Sequence, residues 1–371
     1  MNVVIDTEIF RNSLNKILSV VDRKNTRPIL AYTAITTTES GIELSATDLE
    51  VSAKLIIPAK VSSKGSFCIN AKTITDILRE LPNGDLHLDF NQNDNLLNIT
   101  LSTVNFSVLV YKTDDFPHLN FKGGESEIII SSKKILELIN NSSYAISNDE
   151  TRPYFNGLYL QIVDSNLRAV STNGYRLALY EIEMNNVANE ALINGIIIPR
   201  KGILELKRIA ETEIETEIKV HVDDSFIYVN ASDKYYLSIR LITREYPKYQ
   251  AVIPTRTTCK LTVDKDAFLD AVKRVKIMSN EKSHGIKVYL SEKEITITAN
   301  HPTLGQAIEK VLAHYEGKVM EIGFNARYLI DSLSTFDSGD VVIELNNELS
   351  PALVRSPSVP NYLGIVMPLK L

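Results

Sequence analysis

The chain has 371 residues with 40 Lys+Arg against 46 Asp+Glu, a formal net charge of −6, and 44% hydrophobic residues. The length is ample for buried cores without metal or disulfide staples, and the acidic balance argues against a simple nucleic-acid binder, which usually carries a basic excess. The longest apolar runs are four residues, such as Ile29-Leu30-Ala31-Tyr32, far short of the ~20 a membrane helix needs. Met1 to Phe10 has neither a basic segment nor an apolar one, so no secretory signal is read there. Cys68 and Cys259 are the only cysteines; a disulfide framework is excluded, and a reducing, cytoplasmic setting is expected.

In chain order, Phe10, Leu14, Ile17, Leu18 and Val21 form a helical stripe over 7–21. Leu49, Val51, Ala53, Leu55 and Ile57 alternate with polar residues, the period of a strand with one wet face. A short helix over 72–81 follows, then alternation at Leu86, Leu88 and Phe90. A strand leading to a helix begins again at Ile130-Ser131, followed by alternation at Leu158, Leu160 and Ile162, a helix over 201–210 and alternation at Ile218, Val220 and Val222. The last third repeats the order: a helix over 267–278, alternation at Ile286, Val288, Leu290 and at Ile295, Ile297, Ala299, and a helix over 326–336. Continuous Val/Ile/Leu strands, the mark of a buried parallel sheet, are missing. The fold class expected is α+β, antiparallel sheets with a few helices on one face.

This order recurs three times at spacings of about a third of the chain. Strand-to-helix junctions stand at Ile5-Asp6, Ile130-Ser131 and Val263-Asp264, and second ones at Asn70-Ala71, Pro199-Arg200 and Asn325-Ala326. The polar stretches 122–125 and 254–258 separate the copies, giving domains over 1–122, 126–253 and 258–371.

Charge is divided unevenly. Six helical windows (7–24, 72–80, 132–145, 200–208, 265–276 and 326–335) hold 17 basic and 9 acidic residues, a net of +8, which leaves −14 for the rest. An acidic chain that concentrates positive charge on its helices can present a basic face to phosphates. No recognition-helix or zinc-finger pattern accompanies it, so the contact implied is with the backbone, without sequence readout. No phosphate-loop, dinucleotide, zinc-protease or nucleophile-elbow motif is present, and the six histidines show no ligand spacing. No catalytic residue, metal or cofactor is expected. Asp48/Glu50 and Asp223/Asp224 leave one alternative, a metal-dependent nuclease using scattered carboxylates; solvated charge is the preferred reading.

Thr47-Asp48-Leu49-Glu50, Asp115-Phe116-Pro117, Arg152 with Tyr154-Phe155-Asn156-Gly157, Thr172-Asn173-Gly174-Tyr175-Arg176-Leu177, Pro199-Arg200-Lys201-Gly202, Tyr246-Pro247-Lys248-Tyr249, Ser279-Asn280-Glu281-Lys282, Ile322-Gly323-Phe324-Asn325 and Val366-Met367-Pro368-Leu369-Lys370-Leu371 resemble, in order and over the full length, the bacterial DNA polymerase III beta subunits, the sliding clamps. The resemblance implies three clamp domains, each lining a ring with two helices under an outer antiparallel sheet. Two copies would join head to tail around duplex DNA as a processivity factor without enzymatic activity. It implies subunit contacts at Phe106, Val108, Ile277 and Met278, and phosphate contacts at Lys24, Arg79, Arg200 and Lys201. It also implies a pocket formed by Arg152, Phe155, Thr172, Gly174, Tyr175, Arg176, Leu177, Pro247, Val252, Asn325, Tyr328, Val366, Met367, Pro368 and Leu369. That pocket would take short linear peptides of the polymerase III alpha subunit, the clamp loader, other DNA polymerases and repair proteins. Pro153, Tyr175 and Lys370 stand where the family commonly has an aromatic residue, a histidine and an arginine.

Overall fold

The structure, a computed structural model, describes residues 1–22, 26–123, 127–184 and 189–370. Every strand pairing within its three sheets is antiparallel, as the two-residue alternation requires. Asp85–Asn91 buries Leu86, Leu88 and Phe90 in strict alternation, and Gly285–Leu290 does the same with Ile286, Val288 and Leu290.

The strand-to-helix junctions have a common physical cause. Asp6, Asn70, Asp264 and Asn325 each end a strand and accept hydrogen bonds from amides of the first helical turn through the side chain. An Asx residue at this position satisfies donors that a helix cannot satisfy internally. The helices that follow are Thr7–Ile17, Ala71–Glu80, Lys265–Val275 and Ala326–Leu333; in the middle third the corresponding helices are Ser132–Ser142 and Arg200–Thr212.

Two expectations are corrected. The first helix stops at Ile17 rather than Val21, because the amides of Val20 and Val21 turn back to the carbonyls of Ile17 and Leu18, three residues away, and tighten the chain. Val20 and Val21 are still buried, so the apolar stripe outlasts the helix. Leu49 is not part of a strand: it is exposed at φ +77°, and the strand begins at Val51. Asp48 Oδ1 accepts from the amides of Glu50 and Val51, and Thr47 Oγ1 from that of Leu49, which together close a tight turn.

The chain forms two compact units, each discontinuous in sequence. One comprises Met1–Leu136 with Lys201–Leu241, the other Glu137–Arg200 with Ile242–Leu371. The first holds a five-stranded and an eight-stranded sheet. In the latter, Tyr235–Arg240 pairs with Val51–Pro58, from Tyr235 opposite Leu55 to Ile239 opposite Val51. The second unit holds one twelve-stranded sheet, in which Arg176–Glu183 pairs with Val359–Val366. Among the described residues no helix is long and apolar enough to cross a membrane.

Several strands present unpaired edges among the described residues, Val104–Leu109 and part of Gly305–Glu316 among them. Val104–Leu109 ends the five-stranded sheet. Gly305–Glu316 pairs along 305–312 with Glu294–His301, but only its last four residues pair on the other side, with 260–263. Residues 305–312 therefore keep a free edge.

Within the second unit, a buried hydroxyl relay fastens a strand to two helical segments. Tyr362 Oη lies 2.6 Å from Tyr144 Oη and 2.7 Å from Ser332 Oγ. Gly364 makes room for it, since a Cβ there would meet Ser332 Oγ and Tyr362 Oη at 2.6 Å. Tyr362→Phe removes the hydroxyl that the other two share and should lower stability by about 1–3 kcal/mol. Chemical denaturation checks this; an unchanged midpoint would show that the relay contributes nothing.

Candidate functional site

In the second unit, the turn 172–176 is shaped by its own side chains. Asn173 Oδ1 accepts from the amides of Tyr175 (2.9 Å) and Arg176 (3.1 Å), Thr172 Oγ1 donates to Arg176 O at 2.6 Å, and Gly174 N donates to Thr172 Oγ1 at 3.0 Å. Gly174 sits at φ +89°, a backbone conformation that favours glycine. A Cβ at Gly174 would lie 3.1 Å from the Arg152 guanidinium, which is drawn over the turn toward Asn173 O at 3.4 Å. Arg152 also pairs with Asp149 at 2.8 Å and covers the Phe155 ring at 5.3 Å. The Thr151 hydroxyl, then Arg152, hold the Asp149 carboxyl below its ordinary pKa.

Arg176 leaves this turn for the interior. It pairs with Asp331, donates to Tyr144 O at 2.6 Å, and stacks on Tyr328 with its guanidinium 4.6 Å from the ring centre. Val366 lies opposite Arg176 in the sheet, and the tail continues the ladder: Met367 N donates to Tyr175 O at 2.9 Å and Leu369 N to Gly323 O at 2.8 Å. Asn325 caps the helix that carries Tyr328, and its Nδ2 donates to Ser283 O at 3.0 Å. Leu177 and Ile365, from the two paired strands, belong to an apolar cluster with Phe155, Tyr246 and Tyr249. Tyr246 stacks on Tyr159 with centroids 4.5 Å apart, and burial pushes its phenol well above the ordinary range. Pro247 and Val252 are exposed beside this cluster, on the loop that Tyr249 anchors.

The turn, the helix bearing Tyr328 and the residues 366–369 thus come together, with half-buried Met367, Pro368 and Leu369 beside exposed Tyr175. Sequence reasoning missed the supports: Asp331 and Tyr144, which hold Arg176, and Asp149, which holds Arg152. Only Asp149 left a signal, an acid three residues before an arginine.

The four cations read as phosphate contacts differ in their surroundings. Lys24 lies outside the described residues. Arg79 is exposed and pairs with Asp76 at 3.3 Å, a surface contact that forms and breaks at little cost. Arg200 donates to Ile146 O at 2.7 Å. Lys201 pairs with Asp48, so the expected solvated carboxylate is in fact a partly buried ion-pair partner. Nearby Glu205 is 2% exposed, and burial raises its pKa despite Ser19, Arg208 and Lys201. Phe106 and Val108 are half-buried on the free edge strand Val104–Leu109. Ile277, 72% exposed, and half-buried Met278 lie on a short 3-10 turn after helix Lys265–Val275.

Among the described residues no group of three His, Cys, Asp or Glu is placed to hold a metal ion. Asp223 Oδ1 shapes its own turn by accepting from the amides of Ser225 and Phe226. The Cys68 thiol is buried and pushed up to about 12, chiefly by desolvation and further by Asp115.

The sequence matches three family profiles: the DNA polymerase III beta subunit N-terminal domain over residues 1–120, its central domain over 129–248 and its C-terminal domain over 250–370. It is 34% identical to the beta sliding clamp of Caulobacter vibrioides and 31% identical to that of Pseudomonas aeruginosa, each alignment covering all of both chains. Among solved structures, the Caulobacter crescentus polymerase III beta superposes with a TM-score of 0.93 at 34% identity, covering both chains completely. A Bartonella birtlesii sliding clamp bound to griselimycin superposes with 0.94 at 30% identity, again over both full chains.

The turn itself offers a direct check. Asn173→Ala removes the acceptor shared by two amides, so hydrogen exchange at Tyr175 and Arg176 should accelerate while the rest of the sheet stays protected. Unaltered exchange at both amides would show that the side chain does not hold the turn.

Proposed function

Because this chain belongs to the DNA polymerase III beta subunit family and is a non-catalytic DNA sliding clamp with the three-domain clamp fold, we propose that it works as a head-to-tail homodimeric ring. In this reading the ring encloses duplex DNA in the cytoplasm without reading its sequence. It tethers the polymerase III alpha subunit, the clamp loader, other DNA polymerases and repair proteins through short linear peptides. The domains are 1–122, 126–253 and 258–371, a division supported by the three matched segments.

Peptide docking is supported most directly by the seam between Arg176–Glu183 and Val359–Val366. It sets Met367, Pro368 and Leu369 beside the turn 172–176, and its two strands contribute Leu177 and Ile365 to the aromatic cluster around Phe155 and Tyr246. Apolar anchors such as Leu and Phe suit such a surface. Adaptable Met367 suits several partners, and Arg152, Gly174, Arg176, Pro247, Val252, Asn325 and Tyr328 form its surroundings. Griselimycin on the Bartonella clamp is a ligand of that relative; the place where ligands bind this chain is the reading proposed here.

Subunit closure is supported by two of the unpaired strand edges. An exposed edge invites pairing with another chain, and Val104–Leu109 of one copy joined to residues 305–312 of the next would bury Phe106 and Val108 near Ile277 and Met278. Two such junctions close a ring. Duplex contact falls to Lys24, Arg79, Arg200 and Lys201, all suited to phosphates and none placed for base readout by any motif.

Two experiments test these readings. Light scattering at micromolar concentration should give twice 41.6 kDa, and Val108→Asp combined with Ile277→Asp should give the monomer mass; a wild-type monomer would defeat the ring. Removing Met367 to Leu371 should abolish binding of a fluorescent peptide with Leu and Phe anchors while the dimer persists. Undiminished affinity would move the pocket elsewhere.

A further inference from the structure

Residues 200–208 are the most one-sided of the helical windows, with four basic residues and one acidic. In the folded chain much of that charge is already balanced. Lys201 Nζ donates to Asp48 Oδ2 and reaches Val20 O at 3.4 Å. Arg208 meets both Glu205 oxygens, at 3.2 and 3.1 Å, and donates to Ser19 Oγ, which itself donates to Glu205 at 2.8 Å. Lys207 lies 3.8 Å from Glu211.

The Asp48 carboxylate divides its work. Oδ1 accepts from Glu50 N at 3.0 Å and Val51 N at 2.7 Å and so builds the turn, while Oδ2 takes Lys201. Its side chain is only 8% exposed and fixed by that turn, whereas Lys201 is 33% exposed on a flexible stem. The anion is therefore the stationary partner and the ammonium the mobile one. We propose that Asp48 is a built-in competitor of DNA: Lys201 exchanges between this carboxylate and a backbone phosphate, and the clamp grips duplex more weakly than its cations alone would dictate. The proposal rests on the reading of Lys201 as a phosphate contact.

The physical consequence is specific. A free ammonium that neutralises a phosphate adds about 0.9 to the salt dependence of binding through counterion release. An ammonium already paired with a carboxylate only trades one anion for another, and most of that gain is forfeited. A ring retained by topology does not need the gain, and each firm phosphate contact would have to break whenever it moves along the duplex.

Asp48→Asn isolates the charge, because the amide keeps an oxygen at the Oδ1 position for the turn while the anion is lost. Full-length protein is titrated against a short linear fluorescent duplex, from which a ring can slide off, between about 50 and about 200 mM salt. Asp48→Asn should bind more tightly and steepen the log–log salt slope by about 0.9, an extra loss of about 3.5-fold across that range. Adding Lys201→Ala should erase both effects. A gain that survives in the double variant would mean that Asp48 simply repels DNA, and would overturn the exchange. No gain, with Arg79→Ala and Arg200→Ala still weakening binding, would overturn it while leaving the DNA reading intact. No change in any of these variants would remove both. Thermal unfolding of Asp48→Asn and of Lys201→Ala monitors the turn; if Asp48→Asn fails to fold, Asp48→Ser takes its place, with the same outcomes.

Discussion

Backbone pairing between distant parts of the chain is the constraint from which most of this structure follows. The ladder from Arg176 opposite Val366 to Tyr180 opposite Tyr362 joins the middle of the sequence to its last strand. Side chains alternate with a period of two, so a slip of one residue would turn Leu177, Leu179, Leu363 and Ile365 away from their common core. Register, burial and the position of the tail are thus one fact. The Arg176 guanidinium, the Tyr144–Tyr362–Ser332 relay and the hydrogen bond from Met367 to Tyr175 all presuppose it. A comparable ladder, Tyr235–Arg240 against Val51–Pro58, performs the same service in the first unit.

The charge distribution takes on a different meaning once side-chain partners are known. A net of −6 looked unsuited to DNA, and the helical windows then looked strongly basic. Ion pairs qualify both impressions, since Lys201, Lys207, Arg208, Lys273 and Arg274 each face a carboxylate. The charge available to a phosphate is what remains after local competition, and surface pairs such as Lys273–Asp270 yield far more readily than the turn-held Asp48.

Much of the fold was legible because its signals are local. Alternation at Leu86, Leu88 and Phe90 and the stripe at Phe10, Leu14 and Ile17 translate directly into burial. Asx residues at the strand-to-helix junctions, visible as a repeat, proved to be caps. Leu49 was misplaced because an apolar residue continued the alternation, while Thr47 and Asp48 side chains bent the backbone beneath it. The candidate site was legible as a set of residues only through the family pattern; Arg152 and Leu369 are more than 200 positions apart. Its supports, Asp331 beneath Arg176 and Tyr144 beside it, carry no periodicity or spacing, so nothing short of the folded chain discloses them. The dual service of Gly305–Glu316, paired on different sides along its length, is likewise set by tertiary geometry.

The interleaving of the two units also dictates when each can be completed. The first begins at Met1 yet lacks three of its eight-stranded sheet's members until Arg240 has been made, and the second begins at Glu137 yet waits for Val366. During synthesis from the N-terminus, Val51–Pro58 therefore spends the making of nearly 200 residues as an uncovered edge. Such long-range pairing is slow and leaves apolar strands open to wrong partners. Ser52 and Lys54 alternate with the apolar residues of that strand, and a charged side chain on an open edge disfavours pairing with a wrong partner.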